Sequence, residues 1–167
     1  GVTGGITLQA NDIIVPRDPS SAAFLIVAGL ITKNSQLLLP TIGMSPERIG
    51  LITTLREMGG RIEISNQREV GGEQVADIKV SSSQLKGIVI PSDRAPSMID
   101  EYPILCIAAA MATGPSLMEN IGELRHKEAD RIAIMAKGLR LAGVTVDETE
   151  TSMRVYGTKT AKGDSYI

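Results

Sequence analysis

The hexapeptide Ile13-Ile14-Val15-Pro16-Arg17-Asp18 returns later in the chain as Ile88-Val89-Ile90-Pro91-Ser92-Asp93, and a long apolar run follows each copy. These two runs, Ala22 to Ile31 and Ile104 to Ala112, constrain the fold more than any other feature. The first holds Phe24, Leu25, Ile26 and Val27 in succession, so a helix built from it has no obvious polar face and is expected to be enclosed on all sides. Asp18, Ser20 and Ser21 precede it and are residue types whose side chains accept bonds from the free N–H groups of a helix start. Each run is about half the roughly 20 residues that span a bilayer, which makes them core helices.

Read in order, the chain opens with two short strands, Ile6 to Gln9 and Asp12 to Val15, and then the first enclosed helix, Ala22 to Leu30. A strand follows at Gln36 to Leu39. A second helix, Pro46 to Met58, starts at Ser45 with Pro in its first position and stops at Gly59-Gly60. Strands Arg61 to Ser65 and Val75 to Val80 pair about a turn at Gly71-Gly72. The second copy repeats the order: an enclosed helix from Tyr102 to Ala112, a strand at Ser116 to Met118, a charged helix, and strands Val144 to Asp147 and Ser152 to Tyr156. The reading is an α/β fold of β-α-β-α-β-β units with helices inside and sheets outside. Unit one covers about 12–82 and unit two about 87–157. The tail Thr158 to Ile167 is polar and expected to be loose.

Composition narrows the function. At 167 residues and 43% hydrophobic content the chain can bury its own core without a metal or disulfide. A formal charge of −2, with one Phe, three Tyr and no Trp, offers neither a basic stripe nor stacking platforms for nucleic acid. Cys106 is the single cysteine and sits inside an apolar run, so it reads as a packed residue and not a nucleophile or ligand. Gly1 to Gly5 lacks the pattern of a secretory signal, and the missing initiator Met reads as a processed, engineered or internal start.

The chemistry concentrates in Glu123-Leu124-Arg125-His126-Lys127-Glu128-Ala129-Asp130-Arg131. Downstream, Ile132, Met135, Ala136 and Leu139 recur at helical spacing, and Gly143 supplies a stop. At about 100° per residue, Glu128 projects onto the apolar face, with Arg131 and Lys127 to one side. An inward charge must be paired or face a cleft. The first copy acts as a control, because Met44 and Ser45 stand roughly where Lys127 and Glu128 stand, and Ser20 roughly opposite Asp100-Glu101. The charges therefore belong to the second copy alone. Asp100, at the mouth of the enclosed helix, joins them as a candidate. Two helix starts and two cations favour an anionic ligand, and two carboxylates can divide acid and base work. The ordinary alternatives are a solvated ion-pair network for Lys127, Glu128 and Arg131, and a helix cap for Asp100. His126, the only histidine, has no triad partner nearby, and neither a glycine-rich phosphate loop nor metal-ligand spacing occurs.

Asp100-Glu101-Tyr102-Pro103-Ile104-Leu105 together with Leu124 to Arg131 resembles the 5-enolpyruvylshikimate-3-phosphate synthase family, and Val15 to Ser21 is similar to it as well. The likeness spans nearly the whole chain. It implies a partial enolpyruvyl transferase-like domain: an internal piece holding two of the three units of one of the family's two domains. By resemblance, Asp100 accepts the proton of the 5-hydroxyl of shikimate 3-phosphate and Lys127 contacts that substrate. Glu128 handles the proton at the phosphoenolpyruvate methylene, and Arg131 holds the phosphoenolpyruvate carboxylate. The implied parent is a cytoplasmic, monomeric enzyme of aromatic amino-acid biosynthesis that needs no cofactor and binds neither nucleic acid nor membrane, and the piece alone is expected to be inactive. Arg17 stands where the family usually has Gly, and Ala129 where it often has Ser or Thr. The alternatives are a UDP-N-acetylglucosamine enolpyruvyl transferase and a non-catalytic binding module.

Overall fold

The computed structural model describes residues 12–158 together with residues 1, 4, 5, 7, 9 and 10. Ile6 and Leu8 of the expected strand Ile6 to Gln9, and the tail beyond Thr158, lie outside the described residues, and Thr7 and Gln9 are not in a strand. The first half contains α1 (Pro19–Ile31), β1 (Gln36–Gly43), α2 (Gly50–Glu57), β2 (Arg61–Val70) and β3 (Glu73–Ser81). The second contains β4 (Val89–Ile90), α3 (Tyr102–Ala110), β5 (Gly114–Met118), α4 (Arg131–Leu141), β6 (Thr145–Glu148) and β7 (Met153–Gly157).

Each half builds one sheet. The first is antiparallel in the order β1-β3-β2; the second runs β4-β5-β7-β6, with β4 parallel to β5 and the other pairs antiparallel. Gly71 and Gly72, at φ 61° and 83°, make the turn between β2 and β3 that side chains would strain. Helices α1 and α3 pack on each other, α1 against β1 and β3, α3 against β7 and α4. Gly29 of α1 lets the sheet approach closely, since a Cβ there would lie 3.0 Å from Leu37 and 3.1 Å from Val80.

Helix α1 starts as its sequence dictates. Asp18 Oδ2 accepts from the Ser21 N–H at 2.7 Å and the Ser21 hydroxyl at 2.8 Å, and Pro19 occupies the first turn. Its enclosure is only partial. Ala22, Ala23, Ile26, Val27 and Leu30 are buried, but Phe24 is 61% and Leu25 53% exposed. Helix α3 is covered more fully, with Tyr102, Leu105, Cys106, Ala108 and Ala109 buried and Ile104 and Ile107 partly so. The difference lies in neighbours: α3 has a helix on two sides, whereas α1 packs on α3 and its own sheet.

Two further expectations are corrected. Asp12 to Val15 is not a strand; Ile13, Ile14 and Val15 are exposed, and the chain meets the sheet only at Arg17, whose N–H donates to Thr41 O at 3.0 Å. A β-branched run without a ladder partner does not form a strand. The span Pro46 to Met58 is not one helix but a short 3-10 turn, Pro46–Arg48, followed by α2. Cys106 is buried with its Sγ 3.6 Å from the Met153 sulfur, and burial pushes its thiol up to about 12.

Candidate active site

Two irregular segments carry the charged residues. The first is a 3-10 stretch, Ser92–Glu101, broken at Met98 (φ −156°, ψ 25°), which delivers Asp100 just ahead of α3. The second is a 3-10 turn, Gly122–His126, followed by a non-helical link that holds Lys127, Glu128 and Ala129 before α4 begins at Arg131. Asp130 caps α4 by accepting from Ala133 N–H at 3.0 Å. Arg125 secures the link from beneath. It reaches Asp130 at 2.7 Å and Glu148 at 3.4 Å, and donates to the carbonyls of Thr149 and Glu150.

The expected inward projection of Glu128 is therefore wrong. Its side chain is 83% exposed, because the residue precedes the helix and the 100° rule does not apply to it. The apolar stripe itself is present: Ile132, Ala136 and Leu139 are buried and Met135 is partly buried. Nor does either candidate open its helix directly. Asp100 leaves the N-cap position of α3 to Glu101, and Lys127 stands in extended backbone four residues before α4.

The four candidates nevertheless meet. Arg131 Nη1 lies 3.1 Å from Asp100 Oδ1, and its Nη2 lies 2.8 Å from Glu128 Oε2. Lys127 Nζ stands 3.7 Å from the same Asp100 oxygen and 3.2 Å from Glu123. Glu128's own backbone N–H, then the Arg131 hydrogen bond and charge, hold its carboxyl below the usual glutamate value, so it is ionised at neutral pH. The cluster faces solvent, with the Asp100 side chain 57% exposed. A group that can release a cation to an incoming anion and regain it afterwards is what such a surface offers. A cavity of about 520 Å³ lies at the far end of α1 beside Ile31, Lys33 and Arg61, and none of the four candidates lines it.

Sequence reasoning missed three participants. Arg125 and Asp130 were inside the charged run but were not separated from it. Glu101 was noted only as Asp100's neighbour, yet it is buried at 7% exposure and accepts the Ser20 hydroxyl from the first half of the chain. His126 is exposed at the edge of the turn. Among the described residues no group of three or more His, Cys, Asp or Glu side chains is placed to hold a metal ion, and no helix is long and apolar enough to cross a membrane.

The fold is layered α/β with inner helices, and the segments leading into α3 and α4 carry an open, ion-paired cluster of two carboxylates and two cations, groups suited to meeting an anion. The chain belongs to the EPSP synthase (3-phosphoshikimate 1-carboxyvinyltransferase) family, whose family model matches residues 1–166. It is 54% identical over 156 residues to the 3-phosphoshikimate 1-carboxyvinyltransferase of Zymomonas mobilis, an alignment covering 93% of this chain and 34% of that protein. The protein of the same name from Parvibaculum lavamentivorans is 56% identical, with 93% and 35% covered. The solved EPSP synthase of Acinetobacter baumannii superposes with a TM-score of 0.90 at 42% identity, over 94% of this chain and 36% of that one. The chain thus spans about a third of the length of these relatives.

Proposed function

We propose that this chain is part of an enzyme transferring the enolpyruvyl group of phosphoenolpyruvate to shikimate 3-phosphate, and that Asp100, Lys127, Glu128 and Arg131 belong to its site. On this reading, segments 12–82 and 87–157 are two repeat units of one domain, and the remaining two thirds supply the facing half of the cleft. In the addition step the 5-hydroxyl oxygen bonds to C2 of phosphoenolpyruvate, its proton passes to Asp100, and C3 gains a proton from Glu128 to become a methyl. In the elimination step the C2–O bond to phosphate breaks, the departing phosphate oxygen takes the proton held on Asp100, and a methyl proton returns to Glu128 as its C–H electron pair restores the double bond. Both substrates are soluble anions, and we place the reaction in the cytoplasm, in a monomeric enzyme.

The observation that supports this most is the Arg131 bridge between Asp100 and Glu128. A substrate carboxylate taking the guanidinium would remove two of the causes that hold the Glu128 carboxyl down, and so would prepare it to carry a proton. The names of the relatives favour shikimate 3-phosphate over a UDP-linked sugar as acceptor. The test is Glu128→Gln in the full-length protein. Turnover should fall by about 10²- to 10⁴-fold with little change in the KM for either substrate. Intact turnover, or a loss confined to KM, would remove Glu128 from the proton-transfer role.

A further inference from the structure

Glu101 adjoins Asp100 but points elsewhere: it is buried, and its carboxylate accepts the Ser20 hydroxyl from the first turn of α1. Ser20 Oγ in turn accepts from Arg48 Nη2 at 2.7 Å, and the same nitrogen lies 2.8 Å from Asp18 Oδ1. The direction of this chain of bonds is fixed. A guanidinium only donates, so the serine must spend its single proton on Glu101. Arg48 thereby places positive charge behind the hydroxyl that serves a buried carboxylate, which would otherwise be costly to enclose. The segments holding these groups also pack directly. A Cβ on Gly50 would lie 3.0 Å from Ser97 O and 3.1 Å from Met98 Cβ, so the start of α2 sits against the stretch that carries Asp100. Ser20, Arg48, Ser97, Asp100 and Glu101 all line one small cavity of about 60 Å³.

We infer that Arg48, Ser20 and Glu101 are positioning residues that anchor Asp100 on the first half of the chain, so that it meets Lys127 and Arg131 of the second half at the right place. Asp100 and Glu101 share a peptide bond, and with the backbone broken at Met98 the stretch has little helical stiffness of its own. The Ser20 anchor replaces that stiffness. The inference rests on the enzymatic reading above, since its consequence is kinetic: displacing a reacting group by about 1 Å can cost on the order of 100-fold in rate.

The experiment is kinetic analysis of Ser20→Ala, Glu101→Ala, their double variant and Glu101→Gln in the full-length protein. Each alanine variant should lower kcat by about 10- to 100-fold with both KM values within about twofold. The double variant should lose no more than either single one, because both break the same bond. Glu101→Gln keeps an oxygen that accepts from Ser20 and should recover most of the loss. Unchanged kcat, additive losses, or a loss that Gln fails to rescue would overturn the inference. If the unaltered full-length protein shows no enolpyruvyl transfer, the functional reading fails by itself. The anchor is then decided by amide hydrogen exchange in the 167-residue chain. Ser20→Ala should speed exchange at the amides of Asp100 to Tyr102 and leave β2 and β3 unchanged; equal protection in both chains would refute it.

Discussion

Arg131 holds Asp100 with one guanidinium nitrogen at 3.1 Å and Glu128 with the other at 2.8 Å, so a single side chain spans two carboxylates from different segments. Lysine cannot reproduce this, because an ammonium is a point charge without a planar fork. Arg131→Lys in the full-length protein should therefore raise the KM for phosphoenolpyruvate by about tenfold, in keeping with the loss of one charge-assisted bond. Steady-state kinetics with phosphoenolpyruvate varied would show it. An unchanged KM would mean that Arg131 organises the carboxylates without gripping substrate.

The same bridge has a signature in titration. The Glu128 carboxyl is held below the usual glutamate value by its own N–H and by Arg131. A depressed folded value means that the interaction is complete above the ordinary glutamate value and is lost as pH falls through the depressed one. Carboxyl-carbon NMR of the 167-residue chain should show Glu128 titrating below the usual glutamate range and moving upward in Arg131→Met. A Glu128 that titrates at or above the ordinary value in the unaltered chain contradicts the bridge.

Leu105 is fully buried in α3. Leu105→Ala leaves a cavity that the surrounding alanines, Ala108 and Ala109, are too small to fill, and should cost about 2 to 5 kcal/mol. Urea unfolding measures this directly. A change below about 1 kcal/mol would show that the site collapses around the smaller side chain.

The 167-residue chain by itself should bind anions weakly and turn over neither substrate. Its four candidates face solvent on one side, and transition-state stabilisation requires charges arranged around both reacting partners in a site that excludes water. A coupled phosphate-release assay at high protein concentration should stay at background. Turnover above background would mean that the described residues suffice for the chemistry.

Much of this molecule is written locally. Asp18, Pro19 and Ser21 start α1 through short-range bonds, and Gly71-Gly72 turns β2 into β3. Ile132, Ala136 and Leu139 face the core at the spacing the sequence dictates. These features depend on neighbours within a few residues, so the order of residues alone determines them. The charged run also identified three residues, Lys127, Glu128 and Arg131, that meet in space with Asp100 from ahead of the enclosed helix. The direction of Glu128 was not legible, because whether the chain is helical there depends on Arg125 pulling Asp130 and the distant Glu148 together ahead of α4. The exposure of Phe24 and Leu25 was likewise unreadable, since an apolar side chain is buried only where another element arrives to cover it. Sequence could name Ser20, Arg48 and Glu101, but only the packing of one half against the other put a hydroxyl between a guanidinium and a buried carboxylate. A bond between residues so far apart is set by where whole elements dock, and docking is decided by the shape and burial of surfaces that no local pattern contains.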